Sequence, residues 1–174
     1  MTIAILAHDG KKELMAQFCI AYEGVLSKCR LIASGVTGNW IEEQTGLKVE
    51  RYLPGVEGGV YQIASSIFCH DIDMVMFFRD SDQAKRMDPG EMHLLQLCDE
   101  YMIPLATNIA TAEVLIHGIE RHSLNSHTMQ TDMAEWQNRV RKAPDCSKAI
   151  RCFFKLEQAP AAFRKIRMSS YAGP

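Results

Sequence analysis

The chain has 174 residues, 47% of them hydrophobic and 23% charged, with a net charge of −2. That balance is the ordinary one of a folded globular chain with a single substantial core, and the length is too small for two comfortable domains. No apolar run approaches the ~20 residues a membrane-spanning helix needs. The first residues enter a strand without the basic and apolar regions of a signal peptide, so a cytoplasmic protein is expected.

An opening apolar, partly β-branched run, Ile3–Ala7, stops at His8-Asp9-Gly10. A helical stripe of Leu14, Met15, Phe18, Cys19, Tyr22, Val25 and Leu26 follows, predicting a helix over about 11–28. Further strands are expected at Arg30–Ser34, Lys48–Leu53, Asp73–Phe78 and Ile103–Ala106, with helices between them over about 38–45, 58–69, 88–101 and 109–119. Met74–Phe78 is apolar throughout, as a central parallel strand should be. Asp88-Pro89 has the form of an N-cap followed by proline at the first helical position. Alternating strands and helices with short connections predict an α/β protein, a parallel sheet covered on both faces by right-handed crossovers.

The pattern changes near residue 121. Arg121 to Thr128 is polar and reads as a loop, and two amphipathic helices are expected beyond it. A core domain over 1–120 with a C-terminal helical extension over 121–174 is therefore expected. Residues 1–120 hold nine Lys/Arg and seventeen Asp/Glu, a net of −8; the remainder carries +6. A basic tail on an acidic body points to packing on the body or on a neighbouring subunit. The rival reading is nucleic acid or an anionic membrane; nucleic acid is disfavoured, because the tail has few aromatics near its cations and no nucleic-acid motif. Cys19, Cys29, Cys69, Cys98, Cys146 and Cys152 are irregularly spaced and form no C-x-x-C pair, so free thiols are expected rather than disulfides or zinc. His117, His122 and His127 do not share one helix face, and no metal site is read from them.

If the sheet is parallel, four polar segments meet at its carboxyl edge, where open α/β sheets bind ligands. The first is His8-Asp9-Gly10-Lys11-Lys12. A cation such as Lys12 at a helix N-terminus opposes the helix dipole unless it is solvated or holds an anion. The second is Ser34–Asn39, whose Ser34, Thr37 and Gly38 open a helix in the manner of a phosphate cradle. The third is Pro54–Gly59, with Gly55 and Glu57, and the fourth is Thr107-Asn108. Each glycine-rich loop alone reads as a turn; together with one lysine they outline an anion site for a phosphoester.

The segments Ala7–Lys12 (A-H-D-x-x-K), Ser34–Asn39 (S-G-x-T-G-N), Gly55–Gln62 (G-x-x-G-G-x-x-Q), Phe77–Asp80 (F-F-x-D), Asp88-Pro89 and Ile103–Ala112 resemble, in order and spacing, those of the methylglyoxal synthase family. The resemblance covers residues 2 to about 118. It implies a three-layer, flavodoxin-like five-stranded parallel sheet in the order 3-2-1-4-5, and a ring-like homo-oligomer, usually a hexamer. The family reaction converts dihydroxyacetone phosphate to methylglyoxal and phosphate without a cofactor. A carboxylate base removes a proton from the carbon bearing the hydroxyl, and phosphate then leaves the enediolate. By resemblance, Lys12, Ser34, Thr37 and Gly55 would hold the phosphate, His8 would face the substrate's oxygen end, and Asp80 would support the site.

The family reads G-P-x-G-G-D-Q-Q where this chain reads Gly55-Val56-Glu57-Gly58-Gly59-Val60-Tyr61-Gln62, so Val60 stands where the resemblance places the base. The family's H-D-P-D is Met87-Asp88-Pro89-Gly90 here, and Val36 and Pro54 replace two phosphate contacts. General acid–base groups contribute ~10²–10⁴ each in rate. The resulting expectation is a protein that binds phosphate or a small phosphorylated metabolite with weak or no lyase activity. The alternative is an active lyase with a relocated base, Glu57 or Asp82; Glu91 and Arg79 are further charged groups near the altered positions.

Overall fold

The computed structural model describes residues 1–55, 58–84 and 88–124, all within one compact unit. Five parallel strands are hydrogen-bonded in the order β3-β2-β1-β4-β5: β1 (Thr2–Ala7), β2 (Arg30–Ser34), β3 (Val49–Tyr52), β4 (Met74–Phe78) and β5 (Leu105–Ala106). The sheet and its order agree with the α/β architecture read from the sequence. Helices α1 (Lys12–Ala21), α2 (Glu23–Leu26), α3 (Gly35–Thr45), α4 (Gly59–Phe68), α5 (Ser81–Ala84), α6 (Pro89–Glu100) and α7 (Ile109–Leu124) fill the connections.

Successive side chains of a strand point to opposite faces, and this divides the core in two. Ile3, Ile5, Ala33 and Met76 face one side, against Met15, Phe18, Ile41 and Ile116 of α1, α3 and α7. Ala4, Leu6, Ile32, Val75 and Phe77 face the other, against Ile63, Ile67, Leu94 and Leu97 of α4 and α6. A fully buried side chain of this size contributes about 1.5–3 kcal/mol. The central pair is in register from Ile3 opposite Met74 to Ala7 opposite Phe78, so β1 and β4 end at one level. The His8 amide donates to the Phe78 carbonyl (3.1 Å) and the Arg79 amide to that of Thr107 (3.2 Å), which anchors both residues at the carboxyl edge.

Several boundaries differ from expectation. The first helix breaks at Tyr22 (φ −113°, ψ 23°), whose ring packs on Phe18 and His117. The third begins at Gly35, directly after the extended Ser34. β5 has only two residues; Pro104 before it lacks a ladder N–H, although its carbonyl accepts from Val75. The short α5 has no counterpart among the expected helices. Arg121–Leu124, expected as loop, continue α7. The two helices expected beyond residue 128, with Glu57, Met87, Cys146, Cys152 and His127, lie outside the described residues. None of the four described cysteines forms a disulfide: Cys19 and Cys98 are buried, Cys29 and Cys69 half-buried. Among the described residues no helix is long and apolar enough to cross a membrane.

Candidate functional site at the carboxyl edge

Each polar segment read from the sequence leaves the sheet at this edge. His8 follows β1 and is 8% exposed, with its ring edge-on to Phe77. Its Nδ1 accepts a hydrogen bond from the Asp80 amide (2.9 Å), so the ring proton belongs on Nε2. Nε2 in turn donates to Glu91 Oε1 at 2.7 Å. Both nitrogens of this imidazole are therefore engaged. The second oxygen of Glu91 lies 3.8 Å from Arg79 Nη2. Arg79 stacks over Phe77, and its Nε is buried without a hydrogen-bond partner. An unsatisfied buried donor costs about 1–3 kcal/mol, and native structures retain few of them.

Glu91 reaches His8 because of how α6 starts. The Asp88 carboxylate accepts from the amides of Gly90 (2.8 Å) and Glu91 (3.2 Å), and Pro89 occupies the first turn. That cap fixes the turn from which Glu91 projects. Gly90 is buried beneath Tyr61: a Cβ added there would lie 3.1 Å from Tyr61 Cζ. Burial raises the Tyr61 phenol above its ordinary value, and the Asp88 carboxylate adds to the rise.

Lys12 opens α1, and its ammonium binds Asp9 Oδ1 at 2.5 Å. The lysine holds the Asp9 carboxyl below the usual carboxylate range. Lys12 is thus supplied with an anion from its own chain, but Asp9 is largely exposed and can be displaced. Ser34 and Thr37 are buried, their hydroxyls 3.2 Å apart. Ser34 makes no side-chain cap to α3. Gly38 is a close-approach position: a Cβ there would meet Arg51 Cγ at 2.8 Å.

The β3–α4 loop depends on two glycines. Gly58 has φ +103°, a conformation side-chain-bearing residues rarely adopt, and a Cβ at Gly59 would strike the Leu53 carbonyl oxygen at 1.9 Å. Gly55, exposed, accepts the Gly58 amide. Val60 begins the apolar stripe of α4 and packs against the core.

The remaining candidates divide. Asp80 joins the site through its amide, while its carboxylate accepts the Asp82 amide (3.0 Å), an Asx-type turn that starts α5. Asp82 is exposed. Asn108 caps α7, accepting from the Thr111 amide and hydroxyl. Among the described residues no His/Cys/Asp/Glu group could hold a metal. The His8–Glu91–Arg79 chain and the cover of Gly90 by Tyr61 are contacts that the sequence reading missed. Their signal in the sequence was slight: a glycine at position 90, just inside a proline-started helix, and a tyrosine at position 61.

A strand-end histidine, a lysine one turn on and a hydroxyl pair at the head of α3 stand at the carboxyl edge of a 3-2-1-4-5 sheet, the framework of a three-layer α/β domain. Comparison with known proteins agrees with that class: the family model described as "MGS-like domain" matches residues 15–107. A methylglyoxal synthase of Caldicellulosiruptor saccharolyticus is 55% identical over 125 residues, covering 72% of this chain and 89% of that protein. One from Thermoanaerobacterium thermosaccharolyticum is 45% identical over 141 residues, covering 81% and 98%. The crystal structure of methylglyoxal synthase from Elizabethkingia anophelis superposes with a TM-score of 0.61 at 37% identity, covering 66% of this chain and 76% of that one. The chain belongs to the methylglyoxal synthase family.

Proposed function

We propose that this protein binds inorganic phosphate or a small phosphorylated metabolite at the carboxyl edge, with weak or no methylglyoxal-forming activity. Lys12, the Ser34–Thr37 hydroxyls and the amides opening α3 would hold the phosphate, with Gly38, Gly55 and Asn108 shaping the loops around it. A helix N-terminus and a nearby ammonium suit a dianion.

The observation that carries this reading is the state of His8. Its single ring proton is committed to Glu91 and its other nitrogen to the Asp80 amide. An imidazole so engaged has no donor left for a substrate oxygen. Val60, an apolar residue packed on the core, cannot accept a proton where the family resemblance places the base.

The test has two arms on the full-length protein. Calorimetric titration with phosphate should show binding, and incubation with dihydroxyacetone phosphate should yield methylglyoxal far more slowly than with a family member that has the full carboxylate set. Rapid methylglyoxal formation would overturn the weak-lyase part; absence of phosphate binding would overturn the rest.

A second reading, an active lyase with a relocated carboxylate, draws on one observation: a carboxylate, Glu91, does touch His8. The alternative bases are Glu57 and Asp82. Methylglyoxal formation abolished by Glu57→Gln or Asp82→Asn would favour it; activity indifferent to both would eliminate those two bases. A homo-oligomer, a hexamer by family resemblance, is part of the proposal. Subunit mass before and after deletion of residues 121–174 tests whether that segment takes part in assembly.

A further inference from the structure

We propose that Glu91 and Arg79 read a hydroxyl group on the ligand, so that the site takes phosphate esters of polyols in preference to esters that carry negative charge at the end opposite the phosphate. This rests on the phosphate-binding reading above and deepens it by naming the ligand class.

His8 presents only one nitrogen away from the backbone that follows β4, because Nδ1 is held by the Asp80 amide. Glu91 stands on the other nitrogen. The group that would meet a ligand at this end is therefore the His8–Glu91 pair, and the carboxylate oxygen not bonded to His8 is Glu91 Oε2. That oxygen accepts hydrogen bonds and repels oxyanions. Arg79 Nη2 lies 3.8 Å from it, too far for a direct hydrogen bond. A hydroxyl oxygen about 2.8 Å from each could bridge the gap, donating to the carboxylate and accepting from the guanidinium. A carbonyl can accept from Arg79 but offers nothing to Glu91. A carboxylate or enediolate oxygen would face Glu91 as a like charge. A site built to bond a hydroxyl discriminates strongly against ligands without one, because its own polar groups are left unpaired. The same like charge disfavours a developing enediolate, which connects Glu91 to weak lyase activity.

The experiment is calorimetric titration of full-length wild type and Glu91→Gln with three probes: inorganic phosphate, glycerol 3-phosphate and 2-phosphoglycolate. The amide side chain of that variant would keep an oxygen for the His8 Nε2 proton and remove the charge. Wild type should bind glycerol 3-phosphate at least ~10-fold more tightly than phosphoglycolate, and Glu91→Gln should shrink that ratio by ~10-fold or more while phosphate affinity stays the same. A wild-type preference for phosphoglycolate, or a ratio unmoved by the substitution, overturns the role of Glu91 and leaves phosphate binding standing. Failure of all three probes to bind wild type sinks the phosphate-binding reading and this inference with it. The wild-type ratio alone decides the matter if Glu91→Gln does not fold.

Discussion

The ring of Tyr61 lies across the backbone of Gly90, so close that a methyl group there would sit 3.1 Å from Cζ and 3.2 Å from Cε2. The missing side chain at Gly90 is what makes room for the ring. Gly90→Asp alone should therefore be less tolerated than Gly90→Asp combined with Tyr61→Gln. Overpacking of this kind costs about 1–3 kcal/mol. A double-mutant cycle by chemical denaturation should show a favourable coupling of about 1 kcal/mol. Strictly additive changes would mean the ring moves aside freely.

Lys12 has an internal rival for any ligand, the exposed Asp9 carboxylate. Lys12→Ala should weaken phosphate binding by about 10–100-fold, the loss of one charge-assisted contact. Asp9→Asn releases the ammonium and should strengthen binding a few-fold. Both are read by titration. Tighter binding after Lys12→Ala would remove the lysine from the site.

The cap at Asp88 supports both α6 and the placement of Glu91. Asp88→Ala should cost about 0.5–2 kcal/mol, typical of a lost N-cap, seen as a lower denaturation midpoint. It should also loosen the glycerol-phosphate preference, because Glu91 projects from the frayed turn. Asp88→Asn should retain most of the stability.

Gly59→Ala addresses the β3–α4 loop. Its Cβ would overlap the Leu53 carbonyl, a backbone atom that cannot rotate away. A destabilisation above about 3 kcal/mol is expected, in the range reserved for strain and overpacking of rigid groups. Gly55→Ala, whose Cβ meets nothing within 4 Å among the described residues, is the matched control and should be near neutral.

Burial pushes the thiols of Cys19 and Cys98 up to about 12. In the unfolded chain a cysteine ionises near ~8.5. Between those values the unfolded state releases protons that the folded state keeps, so stability falls as pH rises through that window and is unaffected by these groups below it. Denaturation midpoints should decline from about pH 9 upward. At about pH 8, near the ordinary thiol value, an aromatic disulfide reagent should react with the half-buried Cys29 and Cys69 before it reaches Cys19 or Cys98.

The sheet was legible because its signals are local: an unbroken apolar β4, glycine-containing turns after β1, β2 and β3, and the Asp88-Pro89 helix start. The individual polar loops were legible as residues at strand ends. Their mutual contacts were not. Whether Asp80 offered its carboxylate or its amide to His8 depends on a backbone turn that Asp82 closes, and no spacing rule predicts it. Glu91 was visible as a charge beside Gly90, but its reach to an imidazole 83 positions earlier depends on the register of β1 with β4 and on the angle of α6. The short β5 and the break at Tyr22 followed from a missing proline N–H and from ring packing, which periodicity does not report.

His8 hangs from the end of β1, a strand with hydrogen-bonded neighbours on both sides and side chains buried in both cores. Amide exchange there should be governed by global unfolding. A histidine hung from so deeply held a strand keeps its place while its neighbours vary, so substitutions on β1 should be far less tolerated than those on the elements that flank the site.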